Sequence, residues 1–169
     1  MIGAILHSVC MEKVREYPFA RCFNKHILPP YEPDYLNKTH GLANSCSQGK
    51  IKNFSKKGVT YVFYLTRYQG KLLEYQGKYF IIGYFRVDSY IRHPCEERMV
   101  LYGAEDSKFV SIHNAWKVTE QKWLKLFSKF PGYNLRWLGN GRILNENQIQ
   151  PLLEYFSDKP NEINCYVRP

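Results

Sequence analysis

An α+β domain, in which a strongly curved and mostly antiparallel sheet carries two or three helices, is the fold the sequence predicts. Three observations lead to it. Two long runs rich in β-branched and aromatic residues occupy the middle of the chain, and two amphipathic helical segments follow them. Strands and helices are segregated along the chain rather than alternating, the order expected of α+β rather than parallel α/β architecture. The chain has 169 residues, 44% hydrophobic and 23% charged, which suits one soluble globular domain. It divides into a loop-rich N-terminal third (1–57), a β core (58–116), a helical part (117–158) and a tail (159–169).

Near the N-terminus Ile2, Ala4 and Leu6 alternate with smaller residues and predict a short strand. HILPPYEPDYLNK is too rich in Pro for helix or central strand, because Pro removes donors and restricts its predecessor. NSCSQGK (44–50) reads as a polar, glycine-containing turn. Gly58-VTYVFYLTR-Tyr68 and Lys78-YFIIGYFRVDSYI-Arg92 then predict an antiparallel pair with a long connection holding two Q-G-K turns. Gly83, inside the second run, marks a bulge or a close approach of another backbone or a ligand. Arg98-MVLYG and Lys108-FVSIHNAW add one or two strands. Thr119 caps a helix in which Trp123, Leu126, Phe127 and Phe130 recur at helical spacing. A last helix is expected over roughly 147–157, with Asn147 as its cap and Pro151 in its first turn.

Charge and aromatic content narrow the function classes. The net charge is +9, and aromatics reach 16% with 14 Tyr, 10 Phe and 3 Trp. Residues 1–85 hold 12 Lys/Arg against 5 Asp/Glu, whereas 86–169 hold 12 against 10. Between Lys38 and Lys78 seven lysines and Arg67 face only Glu74. Such a surface attracts polyanions through counterion release, so nucleic acid, DNA or RNA, is the expected partner. No apolar run approaches a membrane helix, and Met1 to Val9, interrupted by His7, is a poor signal peptide. The expectation is a cytoplasmic protein without a membrane partner.

Five cysteines lie at 10, 22, 46, 95 and 165 with no C-x-x-C, so no disulfide framework is legible. Cys22-x3-His26 and His40-x5-Cys46 together supply four nitrogen and sulfur donors of the kind zinc takes. Their order and spacing match no common finger, and neither metal nor other cofactor is expected. No hydrolase, Walker, dinucleotide or metalloprotease signature is present. A Cys46–His113 pair would need folding to bring it together. What stands out is polar groups among aromatics. Tyr64, Thr66 and Tyr68 share one face of the first long strand, and Tyr84, Arg86 and Asp88 share one face of the second. His113, Asn114 and Trp116 lie just before the Trp123 helix. A flat base needs aromatic faces to stack on, amides or hydroxyls for its edge, and cations for the flanking phosphates.

The run GLANSCSQGKIKNFSKKGVTYVFYLTR resembles a segment of the nucleotide modification associated domains, in which a small-residue, cysteine-containing turn precedes a basic stretch and a glycine-led strand. YFIIGYFRVDSYI resembles the next strand of that group and of the wider PUA-like class, which includes the PUA, ASCH, EVE and YTH domains. The resemblance spans residues 40–116, and Val59 stands where an acidic residue is usual. It implies a pseudo-barrel with helices at its ends that binds nucleic acid, recognising a modified or flipped nucleotide. The implied pocket is formed by Asn44, Ser45 and Cys46, by Tyr64, Thr66 and Arg67, and by Asn114 and Trp116. Lys50, Lys52, Lys56 and Lys57 would follow the phosphates. Two other expectations remain beside the non-catalytic reader. ASCH-type relatives imply a small hydrolase of modified nucleosides, with Lys50 or Lys71 and Glu74 in acid–base roles. An aromatic surface also suits a protein–protein module serving a separately encoded partner enzyme.

Overall fold

In the computed structural model the described residues are 2–9, 15–16, 31–42, 45–69, 71–92, 99–127 and 142–166. They form an α+β fold: a mixed, open eight-stranded sheet with a helix on one face and two on the other. Strands β1 (Ile2–Val9), β4 (Thr39–Leu42), β5 (Val59–Arg67), β6 (Tyr79–Arg92), β7 (Met99–Gly103) and β10 (Arg142–Leu144) run in the order β10-β1-β5-β6-β7-β4. The short strands β8 (Lys108–Phe109) and β9 (Trp116–Lys117) also pair with β6. A separate ribbon joins β2 (Arg15–Glu16) to β3 (Tyr31–Glu32).

The 14-residue strand β6 is the hub. Its first half pairs with β5 on one edge, and with β9 and then β8 on the other. From Val87 onward it pairs with β7, with a register shift between Val87 and Ser89 inside that ladder. The expected antiparallel β5–β6 pair is therefore present, joined through a 3-10 turn at Leu73–Tyr75. Gly83 satisfies both halves of its expectation. The ladder slips between Tyr64 and Leu65 opposite it, and the backbone of β8, paired along the other edge, comes close against Gly83, whose own φ is 148°.

Three expectations about the N-terminal third are corrected. β1 is a full eight-residue strand inside the sheet, pairing with β5 in parallel and with β10 antiparallel. β4 adds a strand within the stretch read as irregular. The segment read as a turn is helical from Ser45 onward, because Ser45–Ser55 is helix α1. Ser, Asn and Gly there favour turns locally, but Ser47, Gln48 and Ile51 form a buried stripe on β1, β4 and β5, and tertiary burial overrides propensity. Gly3 lets the α1 side chain Phe54 sit directly against β1. The helix ends where Lys57 and Gly58 both donate to the carbonyl of Phe54.

The opposite face carries α2 (Glu120–Leu126) and α3 (Glu146–Ser157). Thr119 caps α2 as expected, accepting from the amide of Lys122. The helix is shorter than its periodicity suggested, and Phe130 lies outside the described residues. Ile149, Leu152 and Phe156 of α3 pack onto the sheet, with Phe156 edge-on to Tyr84. Its cap is Asn145 rather than Asn147. Asn145 accepts from the Gln148 amide at 3.1 Å and Gln148 Oε1 accepts from the Asn145 amide at 2.9 Å, a reciprocal pair that fixes the start. Pro151 consequently falls inside the helix, beyond the first turn. Asn145→Ala should destabilise the protein by about 1 kcal/mol and lower Tm by roughly 3 °C in a thermal melt. The expected tail is fastened to the sheet as far as Tyr166: Asn161 and Glu162 accept from the amides of Phe109 and Ser111.

Candidate nucleic-acid interface

The interface is built on α1. Its buried stripe turns the remaining positions outward, and four lysines (50, 52, 56 and 57) fall in eight residues without one acid. Lys50 and Lys52 are half-buried on the helix, while Lys56 and Lys57 are exposed in the turn that follows. The cations clustered in sequence do not form one patch. Arg67, Lys71 and Lys78 are exposed beyond the far end of β5, eight strand steps or about 26 Å from Val59. Arg67 donates to the Gly77 carbonyl at 3.2 Å and Lys78 to that of Glu74 at 2.5 Å. Lys38 is paired with Glu105 at 2.5 Å.

Beside Lys56 opens a cleft of about 400 Å³, walled on one side by Ser55, Lys56 and Gly58 and on the other by residues Val87 to Tyr90 of β6. Its position follows from the fold: α1 ends where β5 begins, and β6 runs on past that point to reach β7. The cleft thus combines a phenol ring, an aliphatic wall, hydroxyls, a lysine and the carboxylate of Asp88.

Beneath α1 the sheet buries a polar cluster. His40 Nδ1 and the Tyr64 hydroxyl are hydrogen-bonded at 2.9 Å, and the His7 ring lies edge-on to His40 with centroids 5.1 Å apart. His7 pairs in register with Tyr64, which brings the two side chains to one face. Burial holds both imidazoles neutral: His7 is lowered to about 4, and His40 falls well below its ordinary value by burial and then by repulsion from His7. Burial likewise pushes the Tyr64 phenol up. His7 Nδ1 and the buried Thr66 hydroxyl have no hydrogen-bond partner among the described residues.

The expected pocket residues are divided by this arrangement. Tyr64 and Thr66 are fully buried on the α1 face, Tyr64 against His40, Phe85 and Phe109. Leu65, their neighbour on the other face, is in register with Ile81, and Ile81 with Trp116. Trp116 therefore belongs to the α3 face, where Lys122 lies over both its ring and that of Tyr155. The geometry thus corrects the idea of one cavity shared by Tyr64 and Trp116, since the sheet stands between them. Asn114 is occupied structurally, its side-chain amide donating to Glu162 at 2.9 Å. That bond, with a second from the Ser111 amide, holds the Glu162 carboxyl below its usual range. Arg67 points away from Tyr64, on the alternate face.

Ser45 and Cys46 form the first turn of α1, but their side chains, and Asn44 altogether, lie outside the described residues. The same holds for Cys22 and His26 of the zinc alternative, while His40 spends Nδ1 on Tyr64. No grouping of three or more His, Cys, Asp or Glu suited to a metal occurs among the described residues. Lys71 and Glu74 are exposed on the β5–β6 connection, and His113 lies beside Tyr75, its Nδ1 3.4 Å from the hydroxyl. Sequence reasoning missed His7 and gave His40 only a metal role. The alternation of Gly3, Ile5 and His7 was the available signal for an inward-facing histidine. Among the described residues no helix is long and apolar enough to cross a membrane. No known protein-family model matches the chain, and no curated protein matches it.

Proposed function

We propose that the protein binds nucleic acid, with α1 and the following turn set along the phosphate backbone and a single displaced, modified or unmodified, nucleotide received by the cleft beside Lys56. The observation that carries this reading is the acid-free run of lysines 50, 52, 56 and 57 leading to the rim of a nucleotide-sized cleft. A PUA-like pseudo-barrel is the finer fold within the same proposal. It is supported by the way β6 leaves β5 and pairs onward with β7, which curls the sheet.

Phosphate binding is read out by salt. Titrating the protein against a labelled single-stranded oligonucleotide at 50 and 200 mM salt should give markedly weaker binding at the higher concentration. Replacing both Lys56→Gln and Lys57→Gln should reduce the slope of log K against log salt by roughly 1.4, about 0.7 for each single-strand phosphate that is no longer neutralised. Both side chains are exposed, so folding should be unchanged. Absence of binding at low salt, or binding indifferent to salt, rejects the reading.

A further inference from the structure

Lys56 and Asp88 line the same cleft, yet they are not within ion-pair distance of each other. Neither side chain has a hydrogen-bond or ion-pair partner among the described residues. The Arg86 charge acts on Asp88 only through space, because its bonds go elsewhere. Arg86, two residues before Asp88, is held by Asp106 at 2.6 and 2.7 Å, and Lys38 by Glu105. An unpaired carboxylate beside a lysine-rich helix also opposes the binding of a polyanion. In a surface whose purpose is phosphate binding, it is a cost unless it meets a donor on the ligand.

We propose, resting on the nucleic-acid reading above, that the cleft selects guanine: Lys56 takes the phosphate, Tyr90 offers a ring to stack on, and the Asp88 carboxylate accepts from the base edge. Two oxygens of an ionised carboxylate accept hydrogen bonds and donate none. Guanine presents two adjacent donors, N1–H and the N2 amino group, which match both oxygens at once. Adenine and cytosine put an acceptor nitrogen beside their amino donor, and uracil and thymine flank their single N–H with carbonyls. Each of these sets a lone pair against the carboxylate. At about 400 Å³ the cleft has the size of sites for small ligands, and Val87 adds an apolar wall for the ring.

The test uses the four nucleoside monophosphates and single-stranded 12-mers that differ only in one central base, titrated onto the full chain. GMP and the guanine-containing 12-mer should bind about tenfold more tightly than their counterparts, the discrimination a good bidentate pair provides. Asp88→Asn and Asp88→Ser should remove that preference by changing the two sides in opposite directions. Guanine ligands should weaken, and the others should strengthen as a negative charge leaves the rim. The salt slope should stay as in the wild type, whereas Lys56→Gln should weaken all four nucleotides alike. Asp88 is exposed, so both variants should keep the wild-type circular dichroism spectrum. Salt-dependent binding with equal affinity for all bases, or a guanine preference that survives both Asp88 variants, overturns this inference and leaves nucleic-acid binding standing. Failure of every ligand to bind overturns both.

Discussion

Gly83→Ala should leave the protein unable to fold, or cost more than about 4 kcal/mol in a denaturant titration. Gly83 lies where β6 is flanked on both edges, opposite Tyr64 of β5 and Phe109 of β8. Its φ of 148° is one that side chains rarely adopt. A Cβ there would lie 2.7 Å from the Phe109 Cα and closer still to the Lys108 carbonyl oxygen. Both obstacles are backbone, so relief requires moving β8 off the sheet. β8 carries Phe109, which packs on Tyr35, Tyr64 and Phe85, so the strain would reach the centre of the core. Gly49→Ala is the matched control. That glycine is within α1 with no atom within 4 Å of the added methyl, so alanine should stabilise the protein by up to about 1 kcal/mol. A Gly83→Ala melt within a degree or two of wild type would show that β8 is not held against β6.

The parts of the fold legible in the sequence are those where local preference and tertiary demand agree. β5 and β6 are β-branched and aromatic, and β5 and the first half of β6 occupy positions buried from both sides. Thr119 and the Trp123–Phe127 spacing mark a helix that buries those very rings, stacked 4.3 Å apart. The parts that were not legible are those where a distant partner decides. Ser45–Ser55 is poor in helix formers and becomes helical because Ser47, Gln48 and Ile51 are buried in the tertiary fold, against the distant strand β1 as well as the neighbouring β4 and β5, with Gln48 donating to the Leu42 carbonyl. β1 read only as a short strand because parallel pairing across more than fifty residues leaves no local mark. Asn147 and Asn145 are equally good caps in isolation, and only the reach of Gln148 to Asn145 separates them.

The candidate site was legible in composition but not in geometry. The lysine run and the polar–aromatic ingredients are sequence properties, and Lys56 and Asp88 do stand at one cleft, with Lys57 exposed beside it. Which aromatics face which side depends on register, and period-2 alternation placed Tyr64 correctly with Thr66 while leaving open which face was covered. The α1 helix, itself unforeseen, covers that face. An aromatic flanked by lysines in sequence can therefore be a core residue, as Tyr64 is, whereas Tyr90, near the end of β6, lines the opening.

Acid should loosen the protein through His7 over a defined window. In an unfolded chain an imidazole titrates near 6.5, whereas in the fold His7 is lowered to about 4 by burial. Above pH 6.5 neither state is protonated and the group contributes no pH dependence. Between roughly 6.5 and 4 the unfolded chain binds a proton that the native protein refuses, so stability falls as pH falls. Below about 4 both states are protonated and the His7 contribution levels off, after a total loss of about 3 kcal/mol at 1.36 kcal/mol per pH unit. His40, lowered in the same direction, adds to the loss. His7 Nδ1 has no partner to forfeit among the described residues, so His7→Phe should match or exceed wild-type stability at pH 7.5 and exceed it by about 2 to 3 kcal/mol at pH 4.5. His40→Phe behaves differently, because it strands the buried Tyr64 hydroxyl and should cost about 1–3 kcal/mol already at neutral pH. Urea titrations of the three proteins at both pH values separate these cases, and parallel decline of wild type and His7→Phe would remove His7 as the origin. Because α1 rests on the strands that carry His7, His40 and Tyr64, charging this cluster works directly beneath the lysine-bearing helix. The interface and the acid-sensitive core thus share one support, so acid that charges the histidines should loosen α1 and its lysines together with the strands below.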